Sequence, residues 1–455
     1  MNFNLTNILS VSDEPPWFRQ NIRQSLTVPN PAFVAAEKMG RYTGNLEPYL
    51  AFYKCDRDGI HVPRGYLTQA LATARKYRIP CEITDCTTRL PDVEITFTGS
   101  LKPFQRKAVA HLLNERDGVL EAPTGSGKTV MALRIIAARR QPTLIIVHTK
   151  ELLNQWLARI ETFLSIPKDT IGVIGGGKKT VGTKITVAII NSLYPMAASL
   201  SHQFGHVVID ECHRCPSRTF GEAVSSLSPH YLLGLSATPY RRDGLTELIN
   251  WHLGPTTKVD SNSMTDHDIV KTVHVLVRRT NFAPTVDPTL QYSTMLTELC
   301  ASPSRNWRIA RDVVQCAEHR KGTILVLSDR KSHCDLLATL VRQAGTPADV
   351  LTGSSSKKDR TAIVNRINTG EARVVLATSQ LLGEGFDAAG LGTLFLATPV
   401  KFSGRLLQCV GRILRPQEGK QNSLIVDYVD FSGVLLASFR ARQRVYREKG
   451  FLERQ

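Results

Sequence analysis

Ala122-Pro-Thr-Gly-Ser-Gly-Lys-Thr129 follows the short apolar run Gly118-Val-Leu-Glu121 and precedes Val130-Met-Ala-Leu-Arg-Ile-Ile-Ala137, where apolar residues recur at helical spacing. A strand feeding a glycine loop into a helix N-terminus is an anion site, because unpaired N–H groups and the positive end of the helix dipole point one way. Read so, Thr124, Gly125, Ser126 and Gly127 cradle a triphosphate with backbone N–H groups, and the two glycines permit the close approach. Lys128 reaches the β and γ oxygens, and the Thr129 hydroxyl suits Mg²⁺. The strict pattern opens on glycine, whereas this loop opens on Ala122, so a glycine turn starting an ordinary helix is the alternative.

A second stretch answers the first. Val207-Val-Ile209 is a run of β-branched residues ending in Asp210-Glu211, which sets two carboxylates at a strand's C-terminal tip. That is where α/β sheets bind their ligands. Asp210 suits a Mg²⁺ ion, directly or through water, and Glu211 suits orienting and deprotonating an attacking water. A further apolar run, Tyr231-Leu-Leu-Gly234, leads into Leu235-Ser-Ala-Thr238. Three strand-end polar sites in this order speak for a nucleoside triphosphatase.

Length and composition agree. The 455 residues suffice for about three domains. No apolar run approaches the ~20 residues of a membrane span. Met1-Asn-Phe-Asn-Leu5 lacks the basic start and apolar core of a signal peptide, so a cytoplasmic protein, from a prokaryote or a phage, is expected. Nine scattered cysteines form one CxxC only, Cys212-His-Arg-Cys215, which argues for reduced thiols and against a zinc site.

The formal charge of +17 points to a polyanion partner. Residues 1–98 carry eleven Lys and Arg against ten Asp and Glu, residues 99–255 eighteen against eleven, and residues 256–455 twenty-eight against nineteen. The excess therefore lies with the nucleotide motifs. It fits a groove that tracks phosphates, with a generally basic surface as the alternative.

Residues 1–98 read as a separate small α+β domain. Leu50–Lys54 and Gly59–Val62 read as strands around an Asp56-Arg-Asp-Gly59 turn, Gly65–Tyr77 as a helix, and Val93–Phe97 as an alternating strand. Trp17, Phe18, Tyr42, Tyr49, Phe52 and Tyr53 either stack on bases or form this domain's own core. Gln105 suits an adenine-edge contact, or else a turn into the helix Ala108–Asn114. Thr143–Val147 and Ile185–Ile190 are buried strands, and strands alternating with helices argue for a parallel doubly wound sheet. The first ends at Thr149 and Lys150, the second at Asn191 and Ser192, sheet-edge positions suited to phosphate contact. Gly175-Gly-Gly-Lys-Lys179 is a basic loop, touching the backbone or merely a solvated hairpin tip.

Residues 256–300 read as a polar connection, after which a second alternating region begins. Its strands are Thr323–Leu327, Ala348–Gly353 and Arg373–Thr378, and its helices Lys331–Ala344 and Asp359–Asn368. Gln408-Cys-Val-Gly-Arg-Ile-Leu-Arg415 puts Arg412 and Arg415 on one helix face. Set against the triphosphate, two such guanidiniums act as arginine fingers; surface ion pairs are the alternative.

The ordered set of Gln105, Ala122–Thr129, Val147–Trp156, Asp210–His213, Ser236–Pro239, Gly383–Asp387 and Gln408–Arg415 resembles a superfamily 2 helicase motor, and within it the XPB/UvsW-like group. The resemblance covers roughly residues 100–432. It implies an α/β fold of two RecA-like parallel-sheet lobes, residues 99–255 and 256–455, preceded by the small α+β domain, which is more weakly similar to DNA-sensing domains. It implies Lys128, Thr129, Asp210, Glu211, Gln408, Arg412 and Arg415 for hydrolysis of ATP with Mg²⁺, and Gly385 and Asp387 near the nucleotide. Ser236, Ala237 and Thr238 are then couplers of hydrolysis to movement, and Arg241, Arg242, Thr352, Gly353 and Thr378 join Thr149, Lys150, Asn191 and Ser192 as nucleic-acid contacts. Two departures stand out: Arg241-Arg-Asp243 replaces the group's Arg-Glu-Asp triplet, and the basic stretch Phe439–Arg454 has no obvious counterpart. The expectation is a monomeric DNA helicase or translocase acting on single-stranded, forked or branched DNA in repair or recombination. The alternatives are a double-strand translocase of a restriction or defence system, an RNA helicase and a non-catalytic scaffold.

Overall fold

The computed structural model of the chain describes residues 1–40, 42–123, 126–214, 223–237, 245–259, 273–378, 390–400, 423–430, 432–448 and 451–454. Two compact units divide it, Met1–Ser263 and Met264–Gln455.

The first unit begins with a five-stranded sheet in the order β5-β6-β2-β1-β7. Its strands are β1 (Asn2–Leu5), β2 (Ile8–Ser12), β5 (Lys54–Cys55), β6 (Ile60–Pro63) and β7 (Glu82–Asp85). A small ladder of β3 (Thr27–Pro29) and β4 (Tyr49–Ala51) stands apart from it. Alternation in β1 and β2 drives Phe3, Leu5, Leu9 and Val11 to one face. That face meets helices α1 (Pro16–Ser25) and α3 (Leu67–Lys76); α2 (Pro31–Lys38) is capped by the Asn30 side chain. The Asp56–Gly59 turn does close a hairpin, with Lys54 opposite His61 and Cys55 opposite Ile60.

This small sheet shares its core with a helix of the larger sheet that follows it. Phe3, Leu5, Phe18 and Tyr66 lie in one apolar cluster with Leu248 and Trp251 of α8 (Glu247–Leu253). A 3-10 turn at Arg64–Tyr66 seats on the end of that helix, and a Cβ at Gly65 would come within 2.4 Å of the Gly254 nitrogen. Beside it the buried Arg64 guanidinium donates to both Asp117 carboxylate oxygens, at 3.0 and 2.7 Å, and to the Pro229 carbonyl at 2.7 Å. Arg64→Ala would strand Asp117 without its buried counter-charge, so a loss of about 3–5 kcal/mol is expected. Thermal unfolding of the two proteins measures it; a loss under about 1 kcal/mol would equate the pair with a surface ion pair.

Residues 86–101 cross onto the motor without forming a strand. Val93 donates to Arg140 at 2.8 Å and Thr98 to Phe163 at 2.9 Å. Both partners lie at helix ends, so no ladder forms, and the expected strand Val93–Phe97 is corrected to an extended strap with Ile95 tucked inward.

The motor sheet of this unit has the order β11-β10-β12-β9-β13-β14-β8-β15. Its strands are β8 (Asp117–Glu121), β9 (Thr143–Val147), β10 (Gly172–Gly175), β11 (Lys178–Thr180), β12 (Ile185–Ile189), β13 (His206–Asp210), β14 (Tyr231–Ser236) and β15 (Thr256–Lys258). All pairings are parallel except the β10–β11 hairpin at the edge. The helices α4 (Pro103–Asn114), α5 (Lys128–Arg139), α6 (Lys150–Leu164) and the single turn α7 (Ile190–Leu193) connect them. Strands covered on both faces are apolar along their whole length, which is why β9 matches its sequence reading residue for residue.

The second unit is another parallel sheet, ordered β18-β19-β17-β20-β21-β16-β22. Its elements are β16 (His274–Arg279), α9 (Tyr292–Ala301), α10 (Pro303–His319), β17 (Thr323–Ser328), α11 (Lys331–Gln343), β18 (Ala348–Leu351), α12 (Lys357–Thr369), β19 (Val374–Thr378), β20 (Leu391–Leu396), β21 (Leu424–Val429), α13 (Gly433–Glu448) and β22 (Leu452–Arg454). The stretch 256–300, expected as a polar connection, instead supplies β15 to the first sheet and β16 and α9 to the second. β16 lies next to the edge strand, where its polar ends His274, Arg278 and Arg279 are tolerated around a three-residue apolar middle. The basic stretch from Phe439 is built in as well. Arg442 is buried and donates to both oxygens of Asp427 at 2.8 Å, and the Tyr446 hydroxyl donates to the same carboxylate at 2.8 Å. The whole is an α/β molecule of two RecA-like parallel sheets with a small α+β sheet at its start.

Candidate active site

Three neighbouring strand ends build the site. β14 lies between β13 and β8, with Asp210 in register with Leu235 and Ser236 with Glu121. The loop after β8 is anchored at its first residue, Ala122 N–H donating to the Ser236 carbonyl at 3.1 Å. At its other end Gly127, the N-cap of α5, has φ +83°, and a Cβ there would lie 2.6 Å from Gln105 Nε2. Backbone conformation and close approach both require glycine. The buried Gln105 side chain bridges two elements: Oε1 accepts from Lys102 N–H at 2.9 Å, and Nε2 donates to the Ser126 carbonyl at 2.7 Å. The Ser126 hydroxyl donates to Pro123 O at 2.7 Å.

Lys128 opens α5, and its ammonium donates to the carbonyls of Ala122 at 2.8 Å and Pro123 at 3.3 Å. Burial pulls its pKa down, and the charges of Glu211 and Asp210 oppose that shift. Asp210 ends β13, buried, with each oxygen engaged: Trp156 Nε1 donates to Oδ2 at 2.9 Å, and Glu211 N–H to Oδ1 at 3.0 Å. Burial first, and then the adjacent Glu211 charge, push the Asp210 carboxyl up to about 6. Two carboxylates against one ammonium leave the pocket a net negative charge short of neutrality, which favours a cation.

Glu211 adopts φ +52°, a left-handed conformation costing a non-glycine residue about 1–2 kcal/mol. It turns the chain sharply at the strand tip. Glu211 Oε2 is 3.2 Å from His213 Nδ1, and the same nitrogen is 3.1 Å from the buried Ser236 hydroxyl. His213 thus stands between the second and third strand-end sites, a role the motif Asp210–His213 did not assign it. Trp156 was also assigned no role from sequence, although an indole on the buried face of a helix needs a partner for its N–H.

The remaining candidates fall as follows. Thr129 lies half-buried in the first turn of α5. The Thr149 hydroxyl caps α6, accepting from Leu152 N–H at 3.2 Å. Lys150 leans on the β10–β11 hairpin tip, where a Cβ at Gly176 would meet its Nζ at 3.1 Å; Lys178 and Lys179 are exposed beside it. Asn191 is exposed and Ser192 half-buried on α7, and Ala237 follows β14 directly. In the second unit Thr352 is buried, its hydroxyl 3.0 Å from Ser354 Oγ, while Gly353 faces open space. Thr378 ends β19 in register with Ser328. Thr124, Gly125, Thr238, Arg241, Arg242, Gly385, Asp387, Gln408, Arg412 and Arg415 lie outside the described residues.

A glycine loop between strand and helix, a buried ammonium and a strand-end carboxylate pair define a nucleoside-triphosphate-dependent motor class. Comparison with known proteins narrows it. Residues 98–241 match the family described as "Type III restriction enzyme, res subunit", and residues 307–417 match "Helicase conserved C-terminal domain". A protein of Acanthamoeba polyphaga mimivirus bearing the name of an ATP-dependent RNA helicase is 28% identical over 75% of this chain and 66% of its own length. A protein of Escherichia phage T5 named as a helicase is 26% identical, over 73% of this chain and 72% of its own. The DNA 3'-5' translocase XPB2 of Sulfurisphaera tokodaii is 38% identical over 155 residues, 34% of each chain. The Hef helicase domain of Pyrococcus furiosus shares the fold at 15% identity, with a TM-score of 0.53 over 75% of this chain and 98% of that one. Together the two family matches cover more than half of the chain, which belongs to the superfamily 2 helicases, and its helicase domains imply ATP hydrolysis.

Proposed function

We propose that the chain is a DNA-stimulated ATP hydrolase that translocates on single-stranded, forked or branched DNA and unwinds or branch-migrates it during repair or recombination. The observation that carries this reading is one sheet edge holding both halves of a motor. Lys128, Asp210 and Glu211 meet at the ends of β8 and β13, and Lys150, Lys178 and Lys179 gather at the neighbouring end of β9 and the hairpin beyond β12. The carboxylates of Asp210 and Glu211, which outnumber the single Lys128 ammonium, fit Mg²⁺, which Asp210 and the Thr129 hydroxyl would hold. When bound, the ion would neutralise charge on the transferred phosphate. Lys128 binds the phosphates, and Glu211 takes the proton of the attacking water. The cations track the DNA backbone.

The small sheet reads DNA by its aromatics rather than by charge. Tyr42 and Tyr49 are 84% and 63% exposed and available to stack on bases, whereas Trp17 packs on Tyr77 at 4.6 Å between ring centroids and Phe18 is core.

Two other readings have a specific support each. The family description matched over residues 98–241 favours a double-strand translocase of a restriction system, and the mimivirus relative's name favours RNA. ATPase stimulation by single strands, duplex, forks, four-way junctions and RNA separates them. Forks and junctions are expected to stimulate most; duplex or RNA ranking first would replace this reading with one of the other two.

A further inference from the structure

Helix α6 buries one face, formed by Leu153, Trp156, Ile160 and Leu164. Three of these residues are aliphatic and need nothing beyond packing. Trp156, 1% exposed, carries an N–H that must find an acceptor. It finds a carboxylate rather than a backbone carbonyl: Nε1 lies 2.9 Å from Asp210 Oδ2. The other oxygen is held by Glu211 N–H at 3.0 Å, so the two donors fix the plane of the Asp210 carboxylate between them. One donor comes from the residue that follows Asp210 in sequence, and the other comes from a different helix. That helix starts at the Thr149 cap, and Lys150 lies six residues before Trp156, about 9 Å along a rigid rod.

We propose that Trp156 is a positioning residue for the magnesium-holding carboxylate, orienting Asp210 through its indole N–H and tying it to the helix whose first turn carries Lys150. The inference rests on the reading of Asp210 as the metal ligand. A neutral donor satisfies one lone pair of Oδ2 and fixes the orientation of the carboxylate, leaving the remaining lone pairs to a cation. Phenylalanine at this position keeps an aromatic ring in the core and removes the donor, with a loss of buried volume that the packing control below accounts for.

The test is equilibrium binding of a fluorescent ADP analogue to the full chain, with saturating magnesium and again with a chelator. The ratio of the two affinities measures what the ion contributes. In Trp156→Phe that ratio is expected to fall about tenfold, the scale of one hydrogen bond to a charged group, with affinity in chelator unchanged. Leu153→Ala, from the same buried face, loosens packing without touching Asp210 and should leave the ratio intact. Asp210→Asn should abolish the magnesium gain altogether. If Asp210→Asn abolishes the gain while Trp156→Phe retains it in full, the indole positions nothing and the inference is overturned. Equal losses with and without magnesium in Trp156→Phe, matching those of Leu153→Ala, would reduce Trp156 to packing. A full magnesium gain in Asp210→Asn would instead overturn the metal assignment on which the inference stands.

Discussion

Glu211→Gln is expected to bind ATP at least as tightly as the parent and to hydrolyse it on the order of 10³-fold more slowly. The amide keeps the shape of the side chain but cannot take a proton from water. Its effect on binding follows from the site's electrostatics. The Glu211 charge is one cause of the raised Asp210 carboxyl, so removing it lets Asp210 ionise at lower pH, which offsets part of the negative charge the site loses. Single-turnover hydrolysis, measured beside equilibrium nucleotide binding, separates the two effects. A variant that turns over at the parent's DNA-stimulated rate would mean that another group activates the water.

Arg412→Ala and Arg415→Ala are each expected to lower turnover on the order of 10³-fold, with a smaller loss of nucleotide affinity. The two arginines are three apart in sequence and fall within the region that matches the helicase C-terminal family. A guanidinium that meets charge only as it develops on the transferred phosphate acts on the rate far more than on ground-state binding. Steady-state kinetics with saturating DNA measure kcat and KM apart. A variant keeping most of its kcat would return that arginine to an ordinary surface ion pair.

The elements that were legible in the sequence share one physical property. β9, β13, β14, β17 and β19 are mostly apolar and end abruptly at polar residues, because a parallel sheet covered on both faces has no polar side. What escaped depends on tertiary partners. Val93–Phe97 alternates like a strand, yet Val93 donates to Arg140 and the following Thr98 to Phe163, two isolated bonds rather than a ladder. β16 has only three apolar residues between charged ends, and its place beside the edge strand β22 cannot be seen from its own composition. Nothing local to Leu248 or Trp251 reveals that they complete the core of a sheet formed by the first 85 residues, with Gly65 fitted against the same helix.

The candidate site divides the same way. Lys128, Asp210 and Glu211 stand at strand and helix ends, where the sequence alone indicates chemistry. Gln105 was read as an adenine contact or a turn into a helix; its side chain joins the start of α4 to the glycine loop. Trp156 and His213 act through neighbours brought from other elements, and such contacts have no signature along the chain.

We propose that this site hydrolyses ATP in response to DNA. Steady-state ATP hydrolysis by the full chain, with and without forked DNA, tests it most directly. The expected result is a rate that rises with DNA, saturates and vanishes in Lys128→Ala. A rate indifferent to DNA, or one that survives loss of Lys128, would contradict the account.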